Sequence, residues 1–139
     1  MEKNPIAADF FLGTTTPAGF TGYFSELARE DGRRMYLIKS GPGCGKSTLM
    51  KSLAARSREP IQRIHCSSDP ESLDGVVFCR QNAAVVDATA PHVLEPGAPG
   101  ADEVVVSLYD TIDAEALHPH RAEIEALFDQ NRTLRARAA

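Results

Sequence analysis

Between Ser40 and Thr48 the chain reads Ser-Gly-Pro-Gly-Cys-Gly-Lys-Ser-Thr, with glycines at alternate positions ahead of a lysine and two hydroxyl residues. A backbone this poor in Cβ atoms can turn its N–H groups inward and let them surround phosphate oxygens. Lys46 is then placed to reach the β and γ phosphates of a nucleotide as a point charge, and the Ser47 hydroxyl to ligate magnesium. The expected contacts are Gly41, Pro42, Gly43, Cys44, Gly45, Lys46, Ser47 and Thr48, a string close to the Walker A pattern of a P-loop. Ser40 stands where that pattern usually has glycine, and its small side chain leaves loop closure intact. A Gly-x-Gly-Lys-Ser/Thr string arises by chance in a chain of this length with a probability on the order of one per cent or less.

A second acid is needed to hold magnesium, and Asp87 offers it at the end of Ala83-Ala84-Val85-Val86, the form expected of a Walker B strand. Lys46 and Asp87 are therefore the candidate catalytic residues, Ser47 and Asp87 the candidate metal ligands, and ATP with Mg2+ the expected ligand pair. Ala88 follows Asp87 where many ATP-driven machines place a glutamate that orients water. That substitution argues against the motor branch. It leaves an ATPase whose activating group lies elsewhere, a kinase-like transfer to a small molecule or nucleotide, or a nucleotide-binding regulatory half completed by another domain. Cys44 lies inside the loop at a position that accepts many side chains, and its alkylation is expected to block nucleotide binding.

His65, Asp69, Asp74 and His92 fall where the second and third strands should end, the edge at which doubly wound sheets bind ligands. A lone histidine at such a point is more often a hydrogen-bonded loop residue than a catalyst. Asp69-Pro70 initiates a turn, and His118-Pro119-His120 reads as a helix start rather than a metal site.

These residues require a strand, a loop and a helix in order, and the surrounding sequence supplies them. Met35–Ile38 is a compact apolar run suited to a buried strand. From Lys46 to Arg58 there is no Gly or Pro, and Leu49, Met50, Leu53 and Ala54 share one helical face until Pro60. Ile61–Cys66 alternates as a second strand, and Ala83–Val86 reads as the third. Val76–Phe78 is too short to classify, and Val104–Leu108 suggests another short strand. Tyr23–Glu30 has the spacing of a short helix that packs beside the sheet, stopped by Asp31-Gly32. Ala8–Gly22 reads as loop, Pro91–Ala101 as a surface loop, and His120–Arg137 as a closing helix. The expected fold is α/β, a three-layer P-loop NTPase fold on a mostly parallel sheet.

The chain has 139 residues, 42% of them hydrophobic, and a net charge of −4, the size and balance of one domain with one core. We expect a single nucleotide-binding unit over residues 1–139, with a loop-rich segment at 1–22 and the closing helix at 120–137. The acidic balance gives no global pull toward nucleic acid or anionic lipid, so neither is an expected partner. Cys44, Cys66 and Cys79 have neither metal-ligand nor CxxC spacing, and no run of about 18 apolar residues occurs. A cytoplasmic protein without an export or membrane segment is expected.

With the motifs placed, the chain resembles a family of poorly characterised bacterial P-loop proteins described as predicted ATPases or ATP-binding proteins. The resemblance rests on Thr16–Phe20, Ile38–Met50, His65-Cys66-Ser67-Ser68-Asp69-Pro70-Glu71-Ser72-Leu73-Asp74-Gly75-Val76 and Val86-Asp87-Ala88-Thr89-Ala90-Pro91-His92-Val93, which together span most of the chain. Family members carry two P-loop halves, and this chain looks like the N-terminal one. The resemblance implies ATP binding, a second P-loop domain or self-association as partner, and a substrate-side or switch role for His65, Asp69, Asp74 and His92.

Overall fold

The computed structural model describes residues 6–138 and has a mixed α/β architecture around a mostly parallel six-stranded sheet. Its strands are β1 (Ile6–Phe11), β4 (Arg34–Lys39), β5 (Ile61–His65), β6 (Leu73–Phe78), β7 (Ala83–Asp87) and β8 (Glu103–Ser107), in the spatial order β1-β5-β6-β7-β4-β8. β4 runs parallel to both β7 and β8, and β1 parallel to β5, while β6 is antiparallel to its neighbours β5 and β7. Only β6 is reversed. The apolar Val76-Val77 pair, too short to classify from sequence, is the buried centre of this strand and fills the gap between the second and third strands expected from the sequence.

Alternation along the strands divides the core between the two faces of the sheet. On one face Met35, Leu37, Ile64, Val77, Ala84 and Val86 meet Phe24 and Leu27 of helix α1 (Phe24–Ala28), which packs beside the sheet as expected. On the other, Ile38, Ile61, Leu73 and Val76 meet Met50 of helix α2 (Lys46–Arg56). Helix α2 stops two residues before the expected Arg58, because Ser57 is already extended (φ −64°, ψ 141°) on the way to Pro60.

The loop expected over Ala8–Gly22 is instead strand β1 followed by a two-stranded hairpin, β2 (Gly13–Thr16) and β3 (Gly19–Gly22). β1 has a weak intrinsic strand signal, and its pairing with β5 supplies what local propensity does not. In the hairpin the glycines that resembled loop punctuation make room for an aromatic ring. A Cβ at Gly13 or Gly22 would strike the Phe20 side chain. Residues 1–5 of the expected loop-rich segment lie outside the described residues.

After β8 come two 3-10 turns, the four-residue helix α3 (Ala114–Leu117) and helix α4 (Arg121–Ala138). Helix α4 matches the expected closing helix in extent but does not close the core: Leu127 and Leu134 are 64% and 63% exposed. Its Arg135 reaches Ser68. Among the described residues no helix is long and apolar enough to cross a membrane.

Candidate functional site

The register of the sheet brings the sequence-predicted residues to one point. Ile38 of β4 is the partner of Asp87 on β7, so the segment leaving β4 emerges beside the Asp87 carboxylate. That segment is the glycine loop, and it feeds directly into α2. Gly43 (φ +71°) and Gly45 (φ +92°) occupy left-handed conformations that a side chain disfavours, which explains glycine at those two positions. Gly45 is the N-cap of α2, so Lys46 and Ser47 open the helix at its positive end.

Lys46 turns back across the loop. Its Nζ donates to the Gly41 carbonyl (3.3 Å) and to Thr89 Oγ1 (3.1 Å), and stands 3.7 Å from Asp87 Oδ2. Both side chains of that ion pair are 14% exposed. Asp87 Oδ1 accepts from the Thr89 backbone N–H (3.0 Å) and hydroxyl (2.5 Å). Ser47 Oγ accepts from the Leu73 N–H (2.9 Å), tying the start of α2 to the start of β6. Cys44 is partly exposed, with its thiol 3.7 Å from the Pro42 carbonyl. Pro42 and Thr48 are exposed.

The next residue along β6, Asp74, is drawn in by an irregularity in pairing. Gly75 lies opposite Ile64 but Leu73 lies opposite His65, so Asp74 is the extra residue of a β-bulge. Bulges re-aim side chains. Here Leu73 packs into the α2-side core while the Asp74 carboxylate stands 3.4 Å from His92 Nε2. Asp74, Asp87 and His92 each present a ligand atom within 4.8 Å of the others.

His92 is only 8% exposed, stacked on Phe24 (4.7 Å between centroids, 30° between planes) with Phe20 at its edge (5.8 Å, 61°). Among the described residues its Nδ1 has no hydrogen-bond partner, though it is buried. A buried polar atom left so costs about 1–3 kcal/mol. Burial alone would lower the pKa of the ring, but the Asp74 carboxylate, helped by Asp87, outweighs it and holds the imidazole above its ordinary 6.5. A cleft of about 240 Å³ between Phe20, Phe24 and the Pro91–Leu94 segment opens onto this histidine.

Of the four residues expected at strand ends, Asp74 and His92 thus join Lys46 and Asp87, whereas His65 and Asp69 do not. His65 places Nε2 2.7 Å from Asp9 Oδ1 and Nδ1 2.7 Å from the Pro70 carbonyl, and Arg63 Nε donates to the same Asp9 oxygen at 2.8 Å. The Arg63 guanidinium, then His65, hold the Asp9 carboxyl below its ordinary value. Asp69 accepts from the Ser72 hydroxyl (2.7 Å) and the Glu71 N–H (3.3 Å), fixing its own turn.

Sequence reasoning missed two participants. Thr89 links Lys46 to Asp87 and carries no signal beyond lying two residues past the acid. Lys39 donates to the Ala88 carbonyl (2.8 Å), the Leu94 carbonyl (2.9 Å) and Glu95 (2.6 Å), holding the Ala88–Glu95 loop that carries Thr89 and His92. A cation ending an otherwise apolar strand was its only signal. A groove of about 770 Å³ lies elsewhere, beside α2 on the face of the sheet that this helix covers, lined by Tyr36, Leu53, Arg56, Phe78 and Val106. It contains none of the residues converging on Asp87.

No family model, curated protein or solved structure matches this chain.

Proposed function

We propose that this chain is a P-loop protein of the three-layer NTPase fold that binds ATP with Mg2+ and hydrolyses it slowly. The observation that carries the reading is the convergence of the positive-φ glycine loop, Lys46 at the start of α2 and the Asp87 carboxylate 3.7 Å from its ammonium. In this reading the N–H groups from Gly43 to Thr48 surround the phosphates, Lys46 exchanges Thr89 and Gly41 for the β and γ oxygens, and Ser47 and Asp87 hold the magnesium ion. Magnesium supplies charge neutralisation on the β and γ phosphates. Ser47 already accepts one N–H and keeps a second lone pair for a cation. Within this proposal the chain acts as the N-terminal half of a two-half protein, completed by a second P-loop domain or by self-association.

Calorimetric titration with ATP and GTP, with and without Mg2+, followed by a turnover assay on the same sample, tests the reading. Magnesium-dependent binding to the wild-type chain is expected, weakened roughly 10- to 100-fold in Lys46→Ala by loss of charge-assisted hydrogen bonds. Equal ATP affinity in wild type and Lys46→Ala, or no binding to either, overturns it.

A further inference from the structure

We infer that Asp74, Asp87 and His92 form a binding site for a divalent first-row transition cation that fills without nucleotide. Three observations point to it. The three residues come from two segments, the start of β6 and the end of β7 with the loop after it, yet their ligand atoms lie within 4.8 Å of one another. The imidazole is more than nine-tenths buried, turns Nε2 toward the Asp74 carboxylate at 3.4 Å and, among the described residues, leaves Nδ1 with no partner. The cleft between Phe20, Phe24 and Pro91–Leu94 reaches the same histidine from the side of its aromatic neighbours.

The donor set selects the class of ion. One imidazole nitrogen and two carboxylate oxygens suit Mn2+, Fe2+, Co2+ or Zn2+, whereas Mg2+ prefers oxygen alone and keeps its water. Metal–ligand bonds of about 2.0–2.2 Å bring donor atoms closer together than they now stand. Side-chain adjustments on the order of 1 Å close that difference, and Asp74 sits on a bulge where the ladder restrains it least. The aromatic packing of Phe24 and Phe20 holds the ring from its other sides, the supporting role that orients a ligating histidine.

Lys46 makes the site dependent on the nucleotide in a definite direction. Its ammonium is now the cation nearest Asp87, at 3.7 Å, and competes with a metal for that carboxylate. ATP, on the reading proposed above, draws Lys46 toward the phosphates and releases Asp87 to the ion. The cation site itself does not rest on that reading, because it is built from residues that need no nucleotide.

The test is titration of the nucleotide-free chain with Mn2+, read from the loss of the free-ion electron paramagnetic resonance signal. Saturable binding of one Mn2+ is expected, with a nitrogen coupling from His92 on the bound ion, and excess Mg2+ should displace it poorly. Asp74→Asn and His92→Gln should each weaken binding at least tenfold, and His92→Gln should also remove the nitrogen coupling. His65→Gln should change neither. Lys46→Ala should bind Mn2+ more tightly while losing ATP, so the two readings fail separately. Circular dichroism melts of each variant confirm folding, and Asp74→Asn, which keeps the side-chain volume, serves if His92→Gln does not fold. No Mn2+ binding to the folded wild type, or binding that survives Asp74→Asn with the nitrogen coupling absent, overturns the inference.

Discussion

Two clusters of the same residue types stand at the carboxyl edge of one sheet, and they differ in how completely their polar atoms are matched. At the end of β1 and β5, Asp9 receives Arg63 and His65, and both nitrogens of His65 face an acceptor at 2.7 Å. At the end of β7 and the start of β6, His92 has a nitrogen without a partner among the described residues, and Asp74 and Asp87 share its neighbourhood with one lysine. The first cluster is partly exposed and saturated. The second is buried and unsaturated, with side-chain exposures of 6% for His92 and 10% for Asp74. A saturated group of this kind holds strands together, whereas an unsaturated one in a dry setting is tolerated when a ligand completes it.

The strongest way to break this comparison is to remove the acid shared by the proposed nucleotide and metal sites. Asp87→Ala deletes a ligand of both, and we expect roughly a 100-fold loss of Mn2+ affinity together with loss of the magnesium dependence of ATP binding. Asp9→Ala, the corresponding change in the saturated cluster, should leave both affinities within about twofold of wild type. Parallel titrations of the two variants check this. An equal loss in both would mean that the clusters are not functionally distinct.

A smaller effect is expected from the cysteines, which report on the same contrast without substitution. Cys44 and Cys66 are both partly exposed, one in the glycine loop and the other directly after β5. ATP with Mg2+ should slow alkylation of Cys44 about tenfold or more and leave Cys66 unchanged, as read by mass spectrometry of the labelled peptides. Complete modification of Cys44 should in turn block nucleotide binding. Equal rates for Cys44 with and without ATP would remove the loop from the binding site.

The sequence made the glycine loop, β4, α2 and Asp87 legible because each depends on local signals: positive-φ glycines, an apolar run, helical spacing and a strand that ends in an acid. It also singled out Asp74 and His92, but not their separation from His65 and Asp69. For Asp74 that separation follows from the one-residue slip between β5 and β6, a pairing event between segments that no periodicity in either strand encodes. The same holds for β1. Its Asp9 became visible only once the strand was laid against β5, and a reading based on turn-forming residues placed it in a loop. Thr89 and Lys39 were hidden for a related reason, since each acts through a partner that folding brings near, the Lys46 ammonium for Thr89 and main-chain carbonyls for Lys39.

The smallest expected effect concerns the pH dependence of stability and belongs to the saturated cluster. Asp9 titrates below its ordinary 3.8 in the folded chain because Arg63 and His65 favour its ionised form. A depressed folded-state pKa means that the unfolded chain binds the proton first, so this carboxylate contributes stability above the unfolded value and loses it as pH falls through the folded one. The Asp9 side chain is 42% exposed and its Arg63 partner 35%, so solvent screens the pair and the contribution is under about 1 kcal/mol. Urea unfolding of wild type and Asp9→Asn across the acid range should therefore show curves separated by that amount near neutrality and merging below the folded-state pKa of Asp9. A gap that widens with acid would reverse the sign of the argument and show that Asp9 is held ionised against its surroundings rather than by them.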